Sequence, residues 1–274
     1  MDNAGLREDI IGYAKNNGAD IVGFAAADTW DKVGIVPPDF RPAALWPATK
    51  TVIVLGIGML LPILETTPSI VHTEMYRTVN RALDKLAFDV ARYLNRRNHA
   101  STFFPRDGYG SIEILKVNPR AAFSHRAAAI YAGLGTAGVN QSILTPEFGC
   151  RARFVSVFTS AELEPDKMLE KDLCINCHAC SDCCPVDAII PRTDRLVGDF
   201  DVVACTEKHA ELTRKRCYPC GICIKVCPVG ADRKLYRSPG IIAKYRREAA
   251  LLAENPEHPD YKAWQHIRRF GRWP

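Results

Sequence analysis

The sequence predicts a mixed α/β (α+β) fold, with strands and helices through residue 165 and a small cysteine-rich module after it. Three observations carry this expectation. Apolar, β-branched runs at residues 51–56 and 151–159 have the composition of buried strands. Between them, Val79, Leu83, Leu86, Val90 and Leu94 recur at spacings of three and four, the period of an amphipathic helix. Finally, two matched four-cysteine runs, each ending in Cys-Pro, fall between Cys174 and Pro228.

Taken in order, residues 5–17 predict a helix with Leu6, Ile10, Ile11 and Ala14 on one face, stopped at Asn17-Gly18. A short buried strand follows at residues 20–25. Residues 34–48 hold four prolines and no helical period, which predicts a surface loop. After the strand at 51–56 comes the longest helix, over 69–97. Residues 101–104 read as a further strand ended by Pro105, and the polar stretch 106–111 as a loop. An alanine-rich helix is expected over 121–132, then the strand at 151–159 and a linker at 162–166. The domain boundaries expected are 1–165, 166–235 and a basic helical tail, 236–274, whose Trp264, Phe270 and Trp273 pack on the body.

The first cysteine run is Cys174-x-x-Cys177-x-x-Cys180-x-x-x-Cys184-Pro185, and the second is Cys217-x-x-Cys220-x-x-Cys223-x-x-x-Cys227-Pro228. This doubled spacing is that of bacterial ferredoxin-like modules with two [4Fe–4S] clusters, in which the fourth cysteine of each run ligates the other cluster. Cluster one is then Cys174, Cys177, Cys180 and Cys227. Cluster two is Cys217, Cys220, Cys223 and Cys184. A zinc ribbon needs only four ligands, and a disulfide framework belongs to short secreted chains. Cys150 and Cys183 lie outside the runs and read as buried packing thiols.

The chain has 274 residues, 47% hydrophobic and 24% charged, the proportions of a globular protein. Its formal charge of +5 falls to roughly +1 when two clusters, each about −2 with their thiolates, replace neutral thiols. Global charge therefore does not imply a nucleic-acid partner. The first twenty residues carry no basic-then-apolar signal, and the apolar run 51–64 is too short to span a membrane. A cytoplasmic protein without a membrane partner is expected.

Gly133-x-Gly135-x-x-Gly138 matches a dinucleotide loop, but a helix precedes it and a strand follows, the reverse of the order such a loop requires. A loop permitting close approach of another cofactor fits better. Asp107, Tyr109 and Glu113 sit beside glycines in a polar segment and, with His72, His125 and Arg126, are the polar residues to test for acid, ligand or anchoring roles.

Residues 126–135, Gly138-x-x-x-Ser142-Ile143-Leu144, the strand over 154–159 and the two Cys-Pro-terminated runs resemble the epoxyqueuosine reductase family and, more distantly, corrinoid reductive dehalogenases. The segment from His72 to Arg77 also looks like that family's helix entering the cofactor domain. The resemblance implies a nitroreductase-like α/β domain holding cobalamin, with His72, Tyr76, His125, Arg126, Gly133, Gly135 and Gly138 as its contacts. It implies electrons from reduced ferredoxin or flavodoxin and a small-molecule substrate.

Three departures qualify this. Pro119 stands where the family has its proton-donor aspartate, leaving Asp107 or Tyr109 as substitutes. The carboxy-terminal repeats that bind tRNA in longer relatives have no counterpart, so a tRNA substrate is not expected. The family usually places a cysteine between the runs, matched by Cys205, and lacks the one at Cys217; spacing favours Cys217 as the fourth ligand of cluster two, and the resemblance favours Cys205. An enzyme is the leading expectation. The alternative is an electron-transfer protein that reduces a partner such as a corrinoid protein, and a weaker one fills the domain with flavin or another tetrapyrrole.

Overall fold

The computed structural model describes residues 3–34, 36–108, 110–236, 240–261 and 266–267. Helix α1 (Asn3–Asn16) buries Leu6, Ile10 and Ala14 and leads into strand β1 (Ile21–Ala26). The proline-rich segment is not wholly loop. It contains a 3-10 turn at Pro38–Phe40 and, with α2 (Thr29–Val33) before it, a short helix α3 (Pro42–Leu45). Pro38 and Pro42 open their turns, where a missing N–H breaks no helical hydrogen bond.

Strand β2 (Thr51–Gly58), helix α4 (Leu61–Leu64) and the long helix α5 (Ile70–Asn95) follow. Ser69 caps α5, its hydroxyl accepting from the His72 amide at 3.1 Å. Strand β3 (Ser101–Phe104), helix α6 (Ile114–Val117) and helix α7 (His125–Tyr131) come next. The expected 121–132 helix starts late because Ser124 is extended and accepts from the Ala127 amide. The short pair β4 (Thr136–Ala137) and β5 (Ile143–Leu144) precedes β6 (Ala152–Thr159).

The main sheet has the order β1-β2-β6-β3, antiparallel at every pairing. Alternation along β2 divides its two faces, as a period of two requires. Ile53 and Leu55 join Val155 and Val157 of β6 beneath α1 and α5. Val52, Val54 and Phe158 face α7, Trp30 and Phe123.

The cysteine-rich part contains α8 (Ala179–Asp182), the ladder β7 (Ile189–Ile190) and β8 (Asp199–Phe200), α9 (Val202–Arg214), α10 (Ile222–Lys225) and α11 (Ile241–Glu254). The two runs fold alike. In each, the residue after the second CxxC cysteine is left-handed, His178 at φ 59° and Gly221 at φ 68°, and a single helical turn follows.

Arg151 fastens this part to the sheet. Its guanidinium is fully buried, pairs with both carboxylate oxygens of Asp232 at 2.6 Å and donates to the carbonyls of Cys227 and Val229. Helix α11 lies against α8 and buries Tyr245, while Glu248 pairs with the buried Lys225 at 2.5 Å. Trp264, Phe270 and Trp273 lie outside the described residues. Among the described residues no helix is long and apolar enough to cross a membrane.

Candidate functional site

All eleven cysteines are free thiols. The fold gathers most of them near one another, and the electrostatic neighbours of each thiol are as follows. Burial pushes the Cys180 thiol up to about 12, and Cys227, Cys177 and Cys174 add to the rise. Cys177 is likewise raised, first by burial and then by Cys227 and Cys174. Cys174, Cys177, Cys180 and Cys227, the four that the spacing assigns to cluster one, are thus electrostatic neighbours.

Around the other run, Cys205 stands among the neighbouring thiols. Burial raises Cys205 to about 11, with Cys220 and Cys184 contributing. Cys223 is raised by burial and then by Cys220, Cys205, Cys180 and Cys184. Cys217 lies beside Cys220 of the same run. It is buried against Leu212 and Cys220, with its Sγ 3.0 Å from the Lys215 carbonyl. The reason is local: Cys205 sits in the first turn of α9 and is carried toward Cys184, whereas Cys217 follows the end of that helix and turns into the packing beneath it.

Among the described residues no three His, Cys, Asp or Glu side chains converge on a point that would hold one metal ion.

A cavity of about 700 Å³ opens between the sheet and the cysteine-rich part. Ala152, Arg153 and Phe154 of β6 form one wall, and Ser124, His125 and Arg126 at the start of α7 another. Cys150 and Ile224 close the end nearest the thiols. Cys150 is buried, and its hydrogen bond holds the Cys227 thiol down at about 6. Asn140 Nδ2 donates to the Cys223 carbonyl at 3.5 Å, which ties the cavity wall to the second cysteine run.

Of the residues expected to contact a cofactor, His125 and Arg126 line this cavity. His125 Nε2 is 3.0 Å from the Pro105 carbonyl, which can only accept, so Nε2 carries the proton and Nδ1 accepts from Ser156 Oγ at 2.9 Å. Burial lowers its pKa and keeps the ring neutral.

His72 and Tyr76 do not line the cavity. His72 lies under the second cysteine run, its Nδ1 2.6 Å from Thr67 Oγ1, which donates to the Cys220 carbonyl. Tyr76 packs edge-on against Tyr218 and takes the Arg153 guanidinium 4.3 Å from its ring centre. The three glycines meet the chain itself. A Cβ on Gly133 would lie 2.3 Å from the Lys167 carbonyl oxygen, on Gly135 2.1 Å from that of Leu144, and on Gly138 2.6 Å from Leu144 Cδ1. Their smallness serves packing.

Asp107 stands behind the cavity wall. Its carboxylate accepts from Arg153 at 3.0 Å and lies 3.5 Å from Asn80 Nδ2, so it anchors Arg153. Tyr109 lies outside the described residues. Sequence reasoning missed Arg153, although an arginine inside the apolar strand 152–159 is itself a signal. It also missed His209, whose Nε2 is 3.9 Å from Cys205 Sγ; the Cys205-x-x-x-His209 spacing places both on one helix face.

No family model matches the chain. Among curated proteins, epoxyqueuosine reductase of Bacillus subtilis (strain 168) is 26% identical, over 92% of this chain and 72% of its own length. That of Bacillus cereus is 27% identical, over 87% of this chain and 68% of its own. Tetrachloroethene reductive dehalogenase of Desulfitobacterium hafniense is 25% identical over 80% of this chain, which spans 38% of that protein.

Solved structures show the same fold. A reductive dehalogenase described as performing B12-dependent dehalogenation superimposes with a TM-score of 0.66 over 98% of this chain and 38% of its own, at 20% identity. Epoxyqueuosine reductase from Streptococcus thermophilus gives 0.54 over 95% of this chain and 88% of its own, at 17% identity. The expected mixed α/β fold with a ferredoxin-like cysteine region is therefore the fold of these reductases. Over most of its length, the chain is a distant homologue of the epoxyqueuosine reductases and the reductive dehalogenases.

Proposed function

We propose that this chain is a cobalamin-dependent iron–sulfur reductase acting on a small organic substrate, within a nitroreductase-like domain and a two-cluster module. One observation carries the reading: the cavity of about 700 Å³ reaches Cys150, hydrogen-bonded to the Cys227 thiol, and Ile224, the residue after Cys223. Cys174, Cys177, Cys180 and Cys227 would hold one [4Fe–4S] cluster, and Cys184, Cys205, Cys220 and Cys223 the other. The clusters would relay single electrons from a reduced ferredoxin or flavodoxin.

The cavity suits a large amphipathic ring. Its volume is within the range of cofactor sites, Met59, Phe123, Ile143 and Ile224 give it an apolar lining, and Asn140, Gln141 and Ser142 give it polar partners. Arg106 Nε, in the same wall, is buried without a hydrogen-bond partner. Cobalamin, when bound, supplies a strongly reducing cobalt centre; the protein sets its access and surroundings. His125 contributes as a neutral ring locked by Pro105 and Ser156, and Asp107 by holding Arg153 in the wall.

The test is anaerobic purification with cobalamin supplied, followed by iron and cobalt quantification and a visible spectrum. About eight irons and one cobalt per chain are expected. Eight irons without cobalt would instead favour an electron-transfer protein that reduces a partner, such as a corrinoid protein. That second reading has an observation of its own: among the described residues no carboxyl group lines the cavity, and Pro119 does.

A further inference from the structure

We propose that the mouth of the cavity is an anion site, where Arg120 and Arg126 hold a carboxylate or phosphate carried by the substrate. The inference rests on the reductase reading and narrows its substrate class to amphipathic acids. Among the described residues four arginines line the cavity, Arg106, Arg120, Arg126 and Arg153, and no Asp or Glu does. Two of the four are neutralised from behind the wall. Asp84 pairs with Arg106 at 2.7 Å, and Asp107 with Arg153 at 3.0 Å.

Arg120 and Arg126 have no carboxylate within ion-pair distance among the described residues. The Arg126 guanidinium reaches only Gln141 Oε1, at 3.5 Å, and that of Arg120 lies 6.0 Å from the Phe40 ring centre. Both side chains are exposed at the mouth, while Met59, Phe123 and Ile143 line the same cavity. Two uncompensated guanidiniums at one opening raise the local positive potential. Each presents a planar fork that matches a carboxylate or phosphate with two parallel hydrogen bonds. The apolar lining behind them suits a ligand with a hydrophobic body and an anionic end.

A phosphate on the cofactor would present the same oxygens, so the experiment separates the two sources. The chain is loaded anaerobically with clusters and cobalamin, then titrated calorimetrically with benzoate, with its neutral analogue benzamide and with inorganic phosphate. The titrations are repeated on R120Q, R126Q and the double variant, with cobalt per chain measured for each.

Benzoate should bind at least about tenfold more tightly than benzamide, as charge-assisted pairing predicts. Phosphate should compete with it, the double variant should lose the preference, and R120Q, which leaves Arg126 in place, should weaken the preference while keeping its cobalt. Equal binding of benzoate and benzamide, or an unchanged preference in the double variant, overturns the proposal. A double variant that sheds cobalt but still prefers benzoate also overturns it, assigning the arginines to the cofactor's phosphate. A wild-type chain that takes up no cobalt yet prefers benzoate leaves the anion site standing and removes the reductase reading.

Discussion

At the scale of single residues, Cys205 and Cys217 show where spacing alone leaves a choice open. Cys217 completes a run with the same spacing as the first, and no property of the two strings separates them. The distinction is three-dimensional. Residue 205 is held at the start of α9 beside Cys184 and Cys220, and residue 217 folds under its end with its sulfur toward the Lys215 carbonyl. The expected consequence is that Cys205→Ser loses about four of eight irons while Cys217→Ser keeps all eight. Iron analysis with electron paramagnetic resonance on anaerobically reconstituted protein decides it, and the reverse pattern would restore Cys217. Asp107 was legible as a residue of interest but not in its position, because its partner Arg153 is 46 residues away.

At the scale of elements, much was legible. β1, β2, β3, β6 and α5 fall close to where composition and period predict them, because each buries a continuous apolar face and nothing in the tertiary structure opposes its local preference. The glycine loop and the first turn of α5 were less legible. Small residues serve close packing as readily as cofactor approach, and here the carbonyls of Lys167 and Leu144 occupy the space.

The first turn of α5 is a platform for the second cysteine run. Burial there drives His72 down to about 4, opposed by a hydrogen bond with the Pro219 backbone and helped by Arg153 and His209. A histidine whose folded pKa lies below its unfolded value contributes stability above the unfolded pKa, near 6.5, and loses it as pH falls toward the folded one. Stability should therefore drop by on the order of 2–3 kcal/mol between about pH 6.5 and pH 4 through this group. Denaturant titrations across that range check it: His72→Gln should flatten the slope, and an unchanged slope would place the effect elsewhere.

At the scale of the whole molecule, Arg151 joins the two parts. Its charge is wholly buried and its fork is satisfied by Asp232, with further bonds to the backbone of the second run's end. Arg151→Met should destabilise the chain by about 3–5 kcal/mol, because it leaves the Asp232 carboxylate desolvated without a partner. Chemical denaturation measures the loss. The double change with Asp232→Leu should recover part of it, since removing both charges removes the unpaired one.

The two thiol groups are interlocked along the chain. Cys184 leaves the first run for the second group, and Cys227 leaves the second run for the first. On a ribosome, the second group is completed only when residue 223 has been made and the first only at residue 227. No emerging fragment that ends between the runs can therefore carry a finished centre of either kind. In the two-cluster reading proposed above, both sites would become ready for loading at nearly the same moment of synthesis.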